Sequence, residues 1–138
     1  KELEIFTVEG TERELRPAVN DAMAPIRRLK AAAAARGASL TVAIAPPWFA
    51  LDAAEAADLF DLFGVPGTPA LDEPAKLFAA ALRAEGVAAC DLTPALAASV
   101  ARGDRPYFRY DGHWNATGHT VAADAIAGCV RNGAAAAR

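Results

Sequence analysis

Asp111 and His113 are the residues whose types and spacing best suit acid–base chemistry in this sequence. They lie two positions apart in a glycine-containing loop, directly before a helix-start signal at Asn115. Side chains at i and i+2 of an extended segment point the same way. Asp111 can therefore accept a hydrogen bond from one ring nitrogen of His113 and leave the other nitrogen facing a cleft. This is the orienting half of a nucleophile–base–acid relay, in which the carboxylate fixes the tautomer and stabilises the imidazolium.

The residues alone leave other interpretations of this loop open. Asp111 can form an Asx-turn while His113 packs on Trp114, with no chemistry at either residue. A metal site of Asp111, His113 and His119 is disfavoured because this spacing matches no zinc pattern, so no metal ligand is predicted. His119, the second of the two histidines in the chain, falls one turn into the last helix, where a packed helix residue is the favoured interpretation.

The composition excludes several classes of protein. A length of 138 residues fits one domain, and a net charge of −3 without a Lys/Arg cluster argues against a nucleic-acid surface. No apolar run approaches the roughly 20 residues of a membrane span.

Cys90 and Cys129 make no disulfide framework, and two buried free thiols are favoured over a single disulfide. The compartment stays open, with the periplasm and the extracellular space both compatible.

Strand and helix signals alternate along the chain, which predicts a parallel sheet flanked by helices. Strands are predicted at 3–8, 39–45 and 87–90, and helices at about 24–36, 52–63, 72–85, 93–101 and 115–130. Gly10 is expected to end the first strand, and Thr11 with Glu14 forms a capping-box pattern. Three strands are fewer than the five or six that such sheets usually have, so the sheet is expected to be incomplete.

The segment 107–130 resembles the last conserved block of the SGNH (GDSL) hydrolase family, through Asp-Gly-His-Trp-Asn at 111–115 and Gly-His at 118–119. The segment 41–47 resembles the family's penultimate strand with its proline-marked loop, and 87–92 resembles the strand before the catalytic loop. The resemblance covers residues 38–130. It implies a three-layer α/β/α fold with a parallel sheet, incomplete on its N-terminal side, in a single domain of residues 1–138.

The resemblance also implies an activity, the hydrolysis or transfer of acyl esters without a metal or organic cofactor. By position, His113 would be the general base and Asp111 its orienting partner. The Asp-x-His spacing is shorter than the common Asp-x-x-His and is similar to the branch that includes polysaccharide O-acetyltransferases. Carbohydrate O-acyl transfer is therefore the alternative to ester hydrolysis, and the implied partner is a small-molecule or carbohydrate acyl ester.

Two parts of the family's pattern are missing. There is no Gly-Asp-Ser nucleophile block, since the two serines are Ser39, at a strand start, and Ser99, inside a helix. The segment 10–12 falls where the family often has Gly-x-Asn, which would put Glu12 in place of the oxyanion-hole Asn and repel the developing charge. The alanine-rich tail resembles a natural C-terminus, so the nucleophile is expected upstream, although the acetyltransferase branch can carry it downstream. A non-catalytic module that binds a glycan or a partner is the second hypothesis.

Aromatic residues near the pair are the candidates for substrate contacts. Trp48 follows the C-terminal end of a strand, where open α/β sheets bind ligands, and can line a pocket or plug a loop. Tyr110, with Tyr107 and Phe108, can line the same pocket. Trp114 adjoins the base and is favoured as a core anchor over a lid. The exposed edge of an incomplete sheet could also pair with a second copy, so a homo-oligomer is considered.

Overall fold

The computed structural model describes residues 3–109 and 111–136. In chain order its elements are a 3-10 turn Glu4–Phe6, α1 Val8–Gly10, a π-helical turn Thr11–Leu15, α2 Arg16–Ala34, β1 Thr41–Ile44, a 3-10 turn Trp48–Leu51, α3 Ala53–Phe63, α4 Glu73–Ala84, β2 Ala88–Asp91, α5 Thr93–Ala101 and α6 Ala116–Ala136. Within these ranges, no helix is long and apolar enough to cross a membrane.

The sheet consists of β1 and β2, which run parallel with Thr41 paired to Ala88. Successive side chains of a strand point to opposite faces, and β2 follows this rule. Ala89 packs against the cluster formed by α2 and α4, whereas Cys90 belongs to the cluster formed by α5 and α6. Helices therefore cover both faces of a small parallel sheet, which is the α/β/α layering implied by the resemblance.

The buried core has three clusters. The first lies between α2, α4 and the sheet, the second between β2, α5 and α6, and the third packs α3 onto the 3-10 turn before it. Their buried members are, in that order, Val19, Met23, Leu82 and Val87; Cys90, Leu92, Leu96 and Ala122; and Phe49, Ala56 and Phe60. The second cluster positions the candidate site, because it fixes α6, and the Asp111–His113 loop leads into the first turn of α6.

The strand predicted at residues 3–8 is wrong. This segment forms a 3-10 turn followed by Thr7, which is 1% exposed and is the N-cap of α1. The Thr7 hydroxyl accepts a hydrogen bond from the backbone N–H of Gly10 at 3.1 Å and donates to the carbonyl of Glu4 at 2.7 Å. A capping hydroxyl satisfies helix N–H groups that would otherwise lack a partner. The cap starts a helix at Val8, so the alternating apolar residues of this segment do not form a strand.

Gly10 does not end a strand but lies inside a helical run. A Cβ at this position would come within 1.8 Å of the carbonyl oxygen of Glu4, so the missing side chain permits a close approach of the preceding turn. Thr11, expected as the N-cap of a capping box, donates its hydroxyl to the carbonyl of Thr7 at 2.8 Å. The capping-box prediction is therefore also wrong.

The later helix boundaries agree better with the sequence signals. Asp52 caps α3 by accepting from the backbone N–H of Ala54 at 2.8 Å, and Gly64 follows that helix with a φ of 59°, so α3 agrees with the helix predicted at 52–63. The first long helix was predicted to begin near residue 24, but α2 begins at Arg16. Pro17 does not interrupt it and lies in the first turn of α2, directly after the π-helical turn Thr11–Leu15.

Cys90 and Cys129 are joined by a disulfide, so the expectation of two free thiols is wrong. Their Cα atoms are 5.9 Å apart, because Cys90 lies on the face of β2 that α6 covers and Cys129 packs against the same cluster. This proximity depends on how α6 docks on the sheet, which the spacing of the two cysteines in the sequence does not reveal. The bond ties α6 covalently to the sheet.

Opening the disulfide should lower the free energy of unfolding by about 4 kcal/mol, which is the loop-closure entropy expected for a loop of this length. Urea unfolding of the intact protein with and without dithiothreitol measures the difference. The double variant Cys90→Ala/Cys129→Ala should unfold at the same midpoint as the reduced protein and should not respond to dithiothreitol. Equal stability of the oxidised and reduced protein would contradict the bond.

Candidate active site

The predicted pair lies in a loop between α5 and α6 that folds back on itself. Tyr107 and Trp114 form an isolated antiparallel bridge, and the backbone N–H of Phe108 donates to the carbonyl of His113 at 3.0 Å. These bonds close a hairpin-like segment, residues 107–114, which we call the dyad loop. Its two ends are held together, so the residues at its tip share a restricted geometry.

Asp111 contacts His113 in two ways. Its Oδ1 accepts a hydrogen bond from the backbone N–H of His113 at 2.9 Å and also lies in hydrogen-bonding contact with the ring Nδ1. The first bond is the Asx-turn of the alternative interpretation, and the second is the ring contact predicted for Asp111 and His113. The side chain of His113 is 86% exposed. Among the described residues, the imidazole packed on Trp114 is that of His119.

The contact with His113 holds the pKa of Asp111 below its ordinary value of 3.8. The largest cause is the hydrogen bond with the imidazole of His113, and the second is the hydrogen bond from the backbone N–H of the same residue. Both stabilise the carboxylate form. An ionised carboxylate at Nδ1 favours the tautomer with its proton on Nδ1, which leaves Nε2 able to accept a proton. Asp111 and His113 thus have the relative arrangement that a base and its orienting acid require.

The side chain of Asn115 connects the dyad loop to α6 by hydrogen bonds. Its Oδ1 accepts from the backbone N–H of Gly118 at 3.1 Å, which confirms the predicted N-cap. Its Nδ2 donates to the carbonyl of Arg105 at 2.5 Å and to that of Tyr107 at 3.3 Å. One side chain thus joins the chain that enters the loop to the first turn of the helix that leaves it.

Gly118 allows this close packing. A Cβ at this position would lie 2.1 Å from the carbonyl oxygen of Pro106 and 2.9 Å from the Cβ of Trp114. The neighbour is the segment that enters the dyad loop, so the missing side chain lets this segment pack against the first turn of α6.

Tyr107 connects the dyad loop to the carboxyl end of β1. Its hydroxyl donates a hydrogen bond to the carbonyl of Pro46, and burial raises the pKa of Tyr107, which keeps the phenol protonated as a donor. The rings of Tyr107 and Trp114 meet edge to face with centroids 6.4 Å apart. Tyr107 therefore places Asp111 and His113 near the carboxyl end of β1, which is the edge of the sheet where open α/β folds bind ligands.

His113 lines a cleft of about 470 Å³ at this edge, which we call the dyad cleft. Its lining residues are Phe6, Ala45, Pro46, Pro47, Tyr107, Gly112, His113, Trp114 and His119. His119, expected as a packed helix residue, is exposed and meets Trp114 edge to face, with ring centroids 5.7 Å apart. The sequence held one signal that His119 lies near the dyad loop. It follows Asn115 by four residues, and residues i and i+4 share a helix face.

The predicted substrate-contacting residues fall in different places. Trp48 is 36% exposed and flanks the dyad loop, since a Cβ on Gly112 would lie 3.9 Å from its Cδ1. It borders a second pocket of about 220 Å³ that adjoins the dyad cleft through Tyr107, which lines both. Trp114 packs against the second core cluster, as expected of an anchor, and also lines the dyad cleft. Tyr110 lies outside the described residues.

Neither serine lies at the dyad cleft. Ser99 is 0% exposed and donates to Asp104 at 2.8 Å, and Ser39 lies before the amino end of β1, at the opposite edge of the sheet. Glu12, expected in place of an oxyanion-hole Asn, lies in the π-helical turn, pairs with Arg16 at 2.5 Å and is not among the residues that line the dyad cleft. In the described part of the chain, no group of three His, Cys, Asp or Glu residues could hold a metal ion.

Replacing His113 by alanine should raise the pKa of Asp111 towards 3.8, because the imidazole partner is lost. A carbon-13 NMR titration of the Asp111 carboxyl measures this change. Because the folded-state pKa is lowered, the contact stabilises the fold above the ordinary pKa, and this contribution is lost as the pH falls through the folded-state pKa. His119→Ala is the matched control and should keep the lowered pKa. An Asp111 titration unaffected by His113→Ala would exclude the ring contact.

Gly118→Ala should lower the free energy of unfolding by roughly 2–3 kcal/mol, because the added methyl group overlaps the carbonyl of Pro106. Gly128→Ala is the control in the same helix. A Cβ there meets nothing within 4 Å, so this variant should gain up to about 1 kcal/mol of helix propensity. Urea unfolding of both variants measures the difference, and equal stabilities would argue against the close approach at Gly118.

Comparison with known families identifies the family of this chain. Residues 5–138 match the family model of the SGNH hydrolase-like domain, acetyltransferase AlgX. No curated protein and no solved structure matches the chain. The matched range includes both strands, the dyad loop and α6, which is the part of the chain that carries the Asp-x-His motif. The chain belongs to the SGNH hydrolase-like domain family of the acetyltransferase AlgX.

Proposed function

We propose that this chain carries the acid–base half of a serine-type O-acyltransferase, with His113 as general base and Asp111 as its orienting partner. The observation that carries the proposal is the contact of Asp111 Oδ1 with Nδ1 of His113 at the mouth of the dyad cleft. A neutral imidazole held in this way has its free nitrogen, Nε2, available for the reacting hydroxyl. The proposed activity belongs to the kind named by the matching family.

The reaction needs a nucleophilic hydroxyl that neither serine of this chain supplies at the cleft, so the proposal assigns it to a residue outside these 138 positions. Nε2 of His113 takes the proton of that hydroxyl as its oxygen attacks the ester carbonyl. The imidazolium, stabilised by Asp111, then protonates the departing alcohol and leaves an acyl-enzyme. The acceptor hydroxyl next gives its proton to Nε2 and attacks the acyl carbon, and the nucleophile recovers a proton.

The second pocket supports a sugar hydroxyl as acceptor. It lies beside the dyad cleft and presents the partly exposed aromatic rings of Trp48 and Phe108 together with the charged groups of Glu55 and Arg105. Aromatic rings pack on the apolar faces of a sugar ring, and charged groups hydrogen-bond its hydroxyls. If water occupies this pocket instead, the same residues perform ester hydrolysis, which is the esterase alternative.

A non-catalytic binding module is the second candidate. It is favoured by the absence of a serine among the described residues that line the dyad cleft. Such a module would bind an acylated glycan in the same pockets without turning it over. Activity of the intact protein separates the two candidates.

His113→Ala should lower the rate of p-nitrophenyl acetate hydrolysis by the intact protein at least about a thousandfold, because the base is lost. Asp111→Asn should lower kcat roughly 10²–10⁴-fold, because the amide no longer selects the same tautomer. Asp124→Asn removes an exposed carboxylate of α6 and should leave the rate unchanged.

Both site variants should stay folded with at most a small fall in melting temperature, since the two side chains are largely exposed. Turnover by His113→Ala within a few-fold of wild type would remove this residue from the mechanism. An intact wild-type protein that binds acetylated sugars but hydrolyses no ester would favour the binding module.

A further inference from the structure

His119 is a polar residue of the dyad cleft to which the proposed reaction gives no role. It lies in the first turn of α6, is exposed, and lines the cleft together with His113. Its backbone N–H donates to the carbonyl of Asn115 at 2.9 Å, and its ring meets that of Trp114 edge to face. The ring nitrogens form no hydrogen bond with the residues that the structure describes. They are therefore available to a ligand.

The other polar side chains of the dyad cleft are already engaged. The Tyr107 hydroxyl donates to the carbonyl of Pro46, and the indole of Trp114 is hydrogen-bonded to the side chain of Tyr107. Nδ1 of His113 is held by the carboxylate of the dyad, and its Nε2 takes the reacting proton in the proposed mechanism. The other described residues of the lining have no polar side-chain group; they are Phe6, Ala45, Pro46, Pro47 and Gly112. Among the described residues, His119 thus supplies the side-chain hydrogen-bonding group that the cleft still offers.

The dyad cleft is larger than an acetyl group needs. Its volume is about 470 Å³, whereas a cavity of about 150 Å³ holds benzene, so a six-membered ring fits beside the acetyl group. The acceptor hydroxyl must come within hydrogen-bonding reach of Nε2 of His113 to give up its proton. The sugar ring that carries this hydroxyl would therefore lie in the dyad cleft, and the rest of the glycan would extend into the second pocket.

We infer that His119 hydrogen-bonds the hydroxyl next to the one that is acylated, on the same sugar ring. A neutral imidazole has one N–H donor and one acceptor nitrogen, so it can bond to a hydroxyl group in either sense. Trp114 links the two imidazoles, because His113 directly precedes it in the chain and the ring of His119 packs on its indole. A sugar ring beside Trp114 can thus contact both. The inference rests on the proposed acyl transfer and names its acceptor, a sugar with free hydroxyls on adjacent carbons.

Three acetate esters that differ in one hydroxyl group test this contact. They are 2-acetoxycyclohexanol, 4-acetoxycyclohexanol and cyclohexyl acetate. Their alcohol takes the place of the acceptor, because loss of the alcohol from the ester is the reverse of transfer to it. After division by the rate of alkaline hydrolysis of each ester, the intact protein should show a kcat/KM for the 2-isomer about tenfold above that for the other two, as expected for one hydrogen bond.

Matched variants assign this preference to the imidazole. His119→Phe keeps an aromatic ring against Trp114 and removes the nitrogens, so it should lose the preference. His119→Gln retains a donor and an acceptor and should keep most of it, and Asp124→Asn, at an exposed position of the same helix, should keep all of it. An unchanged preference in His119→Phe, an equal fall for all three esters, or an equal preference for the 4-isomer would overturn the inference.

Binding without turnover separates this inference from the proposed function. In the intact His113→Ala protein labelled with nitrogen-15, 2-acetoxycyclohexanol should shift the NMR signals of the His119 ring nitrogens, whereas cyclohexyl acetate should shift them much less. Equal effects of the two esters, or no effect of either, would overturn the inference. The expected shift, in a protein whose wild type hydrolyses none of the esters, would support the His119 contact and overturn the acyl transfer. Hydrolysis of all three esters with equal corrected kcat/KM would overturn the contact and leave the acyl transfer standing.

Discussion

The side-chain amide of Asn115 is the interaction on which the candidate site depends. Its oxygen caps α6 through Gly118, and its nitrogen holds the carbonyls of Arg105 and Tyr107. Because one planar group makes all of these bonds, the entry of the dyad loop and the start of the helix cannot move independently. The exposed Asp111–His113 pair is thus supported by a partly buried network at its base, and its geometry does not rely on its own packing.

Much of the site could be predicted because its determinants are local in the sequence. The contact of Asp111 with His113 spans two residues, and the cap formed by Asn115 spans three, so the spacing alone carries both. The caps of α3 at Asp52 and Gly64 are local in the same sense. Where a side chain hydrogen-bonds to residues a few positions away, its contact can be predicted without knowing the rest of the fold.

The features that the sequence did not reveal depend on contacts between distant segments. The segment 3–8 alternates like a strand, but its pairing with a neighbouring segment is an isolated bridge between Thr7 and Pro69, and the Thr7 cap starts a helix at Val8. The pairing of Cys90 with Cys129 requires α6 to lie across β2. Likewise, the dyad cleft is built from residues as far apart as Phe6 and His119, and no pattern along the chain brings them together.

The disulfide also sets the axial position of α6. A helix can shift along its neighbour in steps of one turn, about 5.4 Å. A shift of one turn would move the imidazole of His113 away from the end of β1, where the Tyr107 hydroxyl donates to the carbonyl of Pro46. Since the sulfur atoms tie the helix to the strand about 20 Å along its axis from Asn115, sliding is blocked without breaking a covalent bond. The position of the His113 ring relative to the sheet is therefore held by a covalent bond farther along α6.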